Sequence, residues 1–165
     1  MALLERPVRI LTVCLGNICR SPIAQGLVEH FANLKSIPVE VDSAGLASYH
    51  IGEPPHPRSL KVCKERGLDI SHQRARAFNT KDYDYFDFIL AMDKENLRDL
   101  KRFASNEEQL KKIFPVTHWI SNGKEIIEVP DPYYGDEEDY EYVYELLEKS
   151  IDHFTDFLKN EYIKR

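Results

Sequence analysis

A short apolar run rich in β-branched residues, VRILTVC at positions 8–14, is followed at once by LGNICR and then by Ser21-Pro22. No other feature of the chain restricts its fold as much. Apolar residues without polar alternation predict a strand buried on both faces. Proline is favoured at the first helical position and serine is a good helix cap, so Ser21-Pro22 predicts a helix start. Ile23, Leu27, Phe31 and Leu34 then recur at helical spacing. Strand, short loop and helix are therefore expected in immediate succession.

The pattern repeats along the chain. Val39-Glu40-Val41 predicts a second strand, followed by a Gly/Pro-rich loop and a helix from about Arg58 to Arg66 that stops at Gly67. FDFILAM at 86–92 predicts a third strand, with Asp93 capping KENLRDLKRF behind it. IFPV at 113–116 is a weak fourth strand interrupted by Pro115, and VPDPYYG at 129–135 is a loop. From Asp136 to the end a long helix is expected, with Tyr140, Val143, Tyr144, Leu147, Ile151, Phe154 and Leu158 on one face. Alternating strands and helices predict a single α/β domain over residues 1–165 built on a parallel sheet. Ligands of such sheets bind beyond the carboxyl ends of the strands, where residues 14–20 lie.

Composition narrows the function classes. A net charge of −6 argues against a general nucleic-acid binder, since phosphate contacts dominate that affinity, although it leaves room for one cationic cleft. No apolar run reaches the roughly 18 residues that a membrane span needs. The N-terminal MALLERPVRI lacks the apolar core of a signal peptide, so a cytoplasmic location is expected. The three cysteines, Cys14, Cys19 and Cys63, are odd in number. An odd count in a chain that is not small and secreted argues against a disulfide framework, and a Cys14–Cys19 spacing that is not CxxC, with no second pair, argues against a structural metal. The nucleotide motif GxxxxGK[ST] is absent, and no cofactor is implied.

The opening loop is suited to an oxyanion. Backbone N–H groups at a helix N-terminus attract negative charge. Gly16 allows close backbone approach, Asn17 tolerates a left-handed conformation, and Arg20 offers a planar fork for two phosphate oxygens. Cys14 begins this loop, among groups that favour thiolate over thiol. A nucleophilic sulfur beneath a bound phosphoryl group can form a phosphocysteine. The leaving group then needs a proton, and Asp131, on a proline-stiffened loop, is the candidate general acid.

Cys14-Leu15-Gly16-Asn17-Ile18-Cys19-Arg20-Ser21-Pro22 and Asp131-Pro132-Tyr133-Tyr134-Gly135 resemble the signature loop and acid loop of low-molecular-weight protein tyrosine phosphatases. The resemblance extends through Asp42-Ser43, the loop around Tyr49, Ser71-His72 and Ala91-Met92-Asp93, nearly the whole chain. It implies a four-stranded parallel sheet in the order 2-1-3-4 with helices on both faces. It implies hydrolysis of phosphotyrosine in proteins with inorganic phosphate as product, by a monomer. Cys14 would be the nucleophile, Arg20 the phosphate ligand and Asp131 acid and then base. Ser21 would donate a hydrogen bond to the Cys14 sulfur. Asn17, Ser43 and His72 would support the loop, and Tyr49, Tyr133 and Tyr134 would wall the phenyl ring. Leu15, Gly16, Ile18 and Cys19 complete the substrate-binding loop, with Cys19 either packing or a reversible disulfide partner for Cys14.

Plainer readings stand beside these. Cys14 could be a small buried hydrophobe, Ser21 only a helix cap, and the paired tyrosines loop packing. Cys63 reads as core, and the acids at 136–139 as a helix N-terminus. His50 and His56 fall in the loop expected to rim the site and carry no assigned role. Three rival functions share the fold. An arsenate reductase needs a relay of further cysteines, and only Cys63 lies outside the loop. A protein arginine phosphatase of the same family has a threonine where Ile18 stands. A non-catalytic phosphate-binding module has no need of Cys14, Arg20 and Asp131 together.

Overall fold

The computed structural model describes residues 6–163. The first five residues, part of the N-terminal segment read above for a signal peptide, and the last two of the expected C-terminal helix lie outside the described residues.

The elements follow in the order β1 (Val8–Cys14), α1 (Arg20–Leu34), β2 (Val39–Gly45), α2 (Pro57–Glu65), α3 (Asp82–Tyr85), β3 (Phe88–Ala91), α4 (Lys94–Arg102), α5 (Glu107–Leu110), β4 (Ile113–Pro115), α6 (His118–Ser121) and α7 (Glu137–Phe157). A π-helical turn, Leu158–Tyr162, prolongs α7. The strands form one four-stranded sheet in the order β2-β1-β3-β4. All three pairings are parallel. This is the expected fold and strand order.

Side-chain alternation along the strands divides the core. Val8, Ile10 and Cys14 of β1, with Phe88 and Leu90 of β3, face the layer of α1 and α7. Leu11 and Val13, with Ile89 and Ala91, pack instead with Tyr83, Leu97 and Leu100 of the opposite layer. Burial on both faces explains the continuous apolar character of the central strands. Cys14 thus ends β1 on the face where α1 begins.

Several boundaries differ from the expectation, each for a physical reason. β2 continues to Gly45 because it pairs with β1 over its full length, and its polar Asp42 and Ser43 find partners at the sheet's end. β3 starts only at Phe88, since the Asp87 carboxylate takes the Arg9 N–H that a strand residue would otherwise engage. Ser21 does not cap α1. The cap position falls on Cys19 without a side-chain bond, and the Ser21 hydroxyl is used elsewhere. Leu34, expected on the buried stripe, is 65% exposed where α1 ends. The short helices α3, α5 and α6 carry too few turns to show a period. No helix among the described residues is long and apolar enough to cross a membrane.

Gly45 ends β2 beneath the opening loop. A Cβ there would come within 2.9 Å of the Leu15 carbonyl oxygen and 3.0 Å of the Gly16 carbonyl carbon, so only glycine lets the loop lie on the strand. Gly45→Ala is expected to destabilise the protein by about 1–3 kcal/mol through this clash with backbone. Urea unfolding measures it; an unchanged midpoint and slope would show that the loop has room to move.

Candidate active site

The loop from Cys14 to Arg20 is folded with its carbonyl groups outward. Leu46 N–H donates to Cys14 O at 3.0 Å, Ala47 N–H to Leu15 O at 2.8 Å and His56 N–H to Ile18 O at 2.8 Å. Among the described residues, no N–H group of Leu15, Gly16, Asn17, Ile18 or Cys19 donates to another backbone or side-chain group. Asn17 takes the left-handed conformation expected of it, with φ 59°. Free N–H groups around a left-handed residue at a helix N-terminus form an anion nest.

Asn17 also locks the loop through its side chain. Its amide donates to Ser21 Oγ at 2.8 Å and to Ser43 Oγ at 2.9 Å, and its carbonyl accepts from Arg76 N–H at 2.9 Å. Ser21 Oγ lies 3.1 Å from Cys14 Sγ. A thiolate can only accept, so toward that form Ser21 is the donor. Thr12 Oγ1 donates to Ser21 O at 2.9 Å and ties the helix start to β1. His72, expected in this network, is exposed and makes none of these bonds.

Arg20 is 2% exposed. Its Nη1 donates to Asp93 Oδ2 at 2.6 Å and to Val129 O at 2.9 Å. Its Nη2 stands 3.6 Å from Asp131 Oδ2, and its buried Nε has no partner among the described residues. Burial works against the charge, but the neighbouring Cys14, Asp93 and Asp131 outweigh it and hold the guanidinium pKa above its ordinary value. One edge of the fork is thus anchored, and Nε with Nη2 remains for a ligand. Asp93 serves twice, since its Oδ1 also caps α4 by accepting from Asn96 N–H at 2.8 Å.

These groups line a cleft of about 420 Å³. Cys14, Gly16, Ile18, Cys19 and Arg20 are there, with Leu15 at one side. Tyr49, Tyr133 and Tyr134 form walls, and Asp131 stands at the rim with its carboxylate 44% exposed. Asp131 Oδ1 accepts from Tyr133 N–H at 3.1 Å. The structure therefore brings Cys14, Arg20, Asp131 and the three tyrosines singled out in the sequence into one cleft. Asn17, Ser21 and Ser43 lie behind the loop as support.

Sequence reasoning missed His50, which lines the cleft and whose ring centroid is 5.8 Å from that of Tyr133. It also missed the second task of Asp93, whose only local signal was that of a cap. Tyr140 read as core; its hydroxyl lies 3.4 Å from Cys19 Sγ. Burial, and then the contact with Cys19, raises the Tyr140 pKa. Burial pushes the Cys19 thiol up to about 12, and the Cys63 thiol likewise to about 12. All three cysteines are free thiols.

An anion nest at the carboxyl end of a parallel sheet of this strand order fits the class of small protein phosphatases. Residues 9–164 match the family of low molecular weight phosphotyrosine protein phosphatases. The phosphatase of that name from Saccharomyces cerevisiae is 36% identical over 164 residues, covering 96% of this chain and 98% of its own. The crystal structure of YfkJ from Bacillus subtilis superposes with a TM-score of 0.87 at 31% identity, covering 95% of this chain and 98% of its own. A protein tyrosine phosphatase from Entamoeba histolytica, solved with Hepes in its active site, gives a TM-score of 0.85 at 35% identity over 92% of this chain and 97% of its own. The chain belongs to the low molecular weight phosphotyrosine protein phosphatase family.

The thiol environments predict selective alkylation. With its pKa pushed up to about 12 by burial, Cys19 stays a thiol at pH 8, and only a much higher pH exposes its thiolate. Iodoacetate at pH 8 should label Cys14 alone in the folded protein and all three cysteines after denaturation. Peptide mapping reads the sites; folded-state label on Cys19 would refute the assignment.

Proposed function

We propose that the protein hydrolyses phosphotyrosine in proteins through a phosphocysteine on Cys14 and releases inorganic phosphate. The observation that carries this reading is the half-anchored Arg20: a buried guanidinium whose Nε lacks a partner among the described residues, beside a loop whose N–H groups are free among them. Two phosphate oxygens complete that fork, and the remaining charge falls on the N–H nest. The bound phosphorus then faces Cys14 Sγ. The thiolate attacks, the P–O bond to the phenol breaks, and Asp131 protonates the departing oxygen. In the second step Asp131 takes a proton from water, the resulting oxygen attacks phosphorus, and the sulfur leaves as a thiolate stabilised by the Ser21 hydroxyl. No metal or cofactor enters either step.

The walls support an aromatic substrate. Ile18 is 7% exposed and presents an apolar β-branched surface to the cleft, with Tyr49 and Tyr133 beside it. The arsenate-reductase reading lacks support, because Cys63 sits fully buried on α2 and is not part of the cleft. Three free thiols suit a reducing cytoplasm.

Cys14→Ser should abolish turnover of p-nitrophenyl phosphate while retaining phosphate binding, because the N–H groups and Arg20 still hold the anion. Steady-state kinetics with isothermal titration of phosphate decides it; appreciable kcat would remove Cys14 from the mechanism.

Ile18→Thr keeps the β-branch but replaces the ethyl arm with a hydroxyl, so the wall becomes smaller and polar. The kcat/KM for phosphotyrosine should fall and that for phosphoarginine rise, shifting their ratio by roughly 10–200-fold at most. An unchanged ratio would place the choice of amino acid in the rim loops.

A further inference from the structure

His56 carries more connections than a rim residue needs. Its backbone N–H donates to Ile18 O at 2.8 Å, which fastens it to the phosphate-binding loop. Its Nδ1 accepts from Arg58 N–H at 3.1 Å and so caps α2 ahead of Pro57. One face of its ring stacks on Tyr140, at 5.3 Å between centroids and 25° between planes. Its ring also meets Tyr133 edge to face, at 5.8 Å and 72°. The first three contacts leave the imidazole little freedom, and the fourth passes that rigidity to the acid loop.

Tyr133 is the residue whose N–H holds Asp131 Oδ1 at 3.1 Å. With one carboxylate oxygen held there, the other stands 3.6 Å from Arg20 Nη2. The location of Tyr133 thus decides where the carboxylate points. The Arg58 guanidinium, two residues beyond His56, donates to Gly135 O and secures the far end of the same loop. The contact between His56 and Tyr133 is a direct link between the loop that holds phosphorus and the loop that bears the acid.

We propose that His56 is a positioning residue for the general acid: held by Ile18, Arg58 and Tyr140, it fixes Tyr133 and through it aims Asp131 at the leaving-group oxygen. This rests on the reading of Asp131 as general acid. An imidazole that accepts at Nδ1 is neutral with its proton on Nε2, and burial, then Arg58 and His50, lower its pKa accordingly.

Two variants separate the ring from the cap. His56→Asn keeps a side-chain oxygen for Arg58 N–H, since asparagine is among the best caps, but removes the ring. His56→Phe keeps a ring and removes the acceptor. Both are compared with wild type and Asp131→Asn for kcat/KM on phenyl phosphate and p-nitrophenyl phosphate, for inhibition by inorganic phosphate, and for thermal midpoint. Phenoxide leaves poorly without a proton, whereas p-nitrophenoxide needs it less. For His56→Asn, kcat/KM on phenyl phosphate should drop about tenfold and on p-nitrophenyl phosphate about twofold, with the phosphate Ki and the midpoint held. His56→Phe should melt earlier yet keep the wild-type ratio between the two substrates. An equal fall on both substrates in His56→Asn, no fall on either, or a weakened phosphate Ki would overturn the proposal. If Asp131→Asn separates the substrates and His56→Asn does not, the role of His56 fails alone. If Asp131→Asn does not separate them, the general-acid reading fails with it.

Discussion

Arg20 is a full positive charge almost sealed from water, and the arrangement around the cleft follows from that. A buried charge is costly unless it is paired and hydrogen-bonded. Asp93 and the Val129 carbonyl satisfy one end of the guanidinium. They come from the carboxyl end of β3 and from the segment leading to the acid loop, so neutralising Arg20 draws three distant parts of the chain to one point. Asp131 stands just outside hydrogen-bond range of the other end. The fork is thereby left incomplete in the direction of the cleft, where a dianion would complete it.

The opening loop is held from behind by a second set of ties. Asn17 spends its whole amide on Ser21, Ser43 and Arg76. Arg76 in turn pairs with Asp42 and Asp82. Leu46, Ala47 and His56 take the loop carbonyls from the side of the sheet end. With the Asn17 side chain and the carbonyls of Cys14, Leu15 and Ile18 engaged outward, the loop has its N–H groups left for the ligand. Such prior organisation means that little rearrangement is needed as charge builds on phosphorus.

Much of this was legible from sequence because it is local. Cys14, Asn17, Arg20 and Ser21 lie within one turn and one loop, so their spacing alone forces them together. The Asp-Pro-Tyr-Tyr-Gly segment carried a resemblance strong enough to name Asp131. Of the two roles that the sequence offers Ser21, the contact with the Cys14 sulfur is formed and the cap is not, because the hydroxyl is shared between Cys14 and Asn17. Arg76 supports the loop through its main-chain N–H to Asn17, a tie that the sequence does not signal. A main-chain donor leaves no mark in the residue type.

The sequence by itself determined the strand-loop-helix unit, the α/β class and the chemistry available at the loop, since apolar periodicity, proline placement and the Cys14 to Arg20 spacing act over a few residues. Only the tertiary structure decided which carboxylate neutralises Arg20, which ring bears on Tyr133 and which thiol is kept protonated. Those contacts join residues separated by 73 positions in Arg20 and Asp93 and by 121 in Cys19 and Tyr140. Across such separations no local period or propensity operates, and the pairing is set by how the layers pack on the two faces of the sheet.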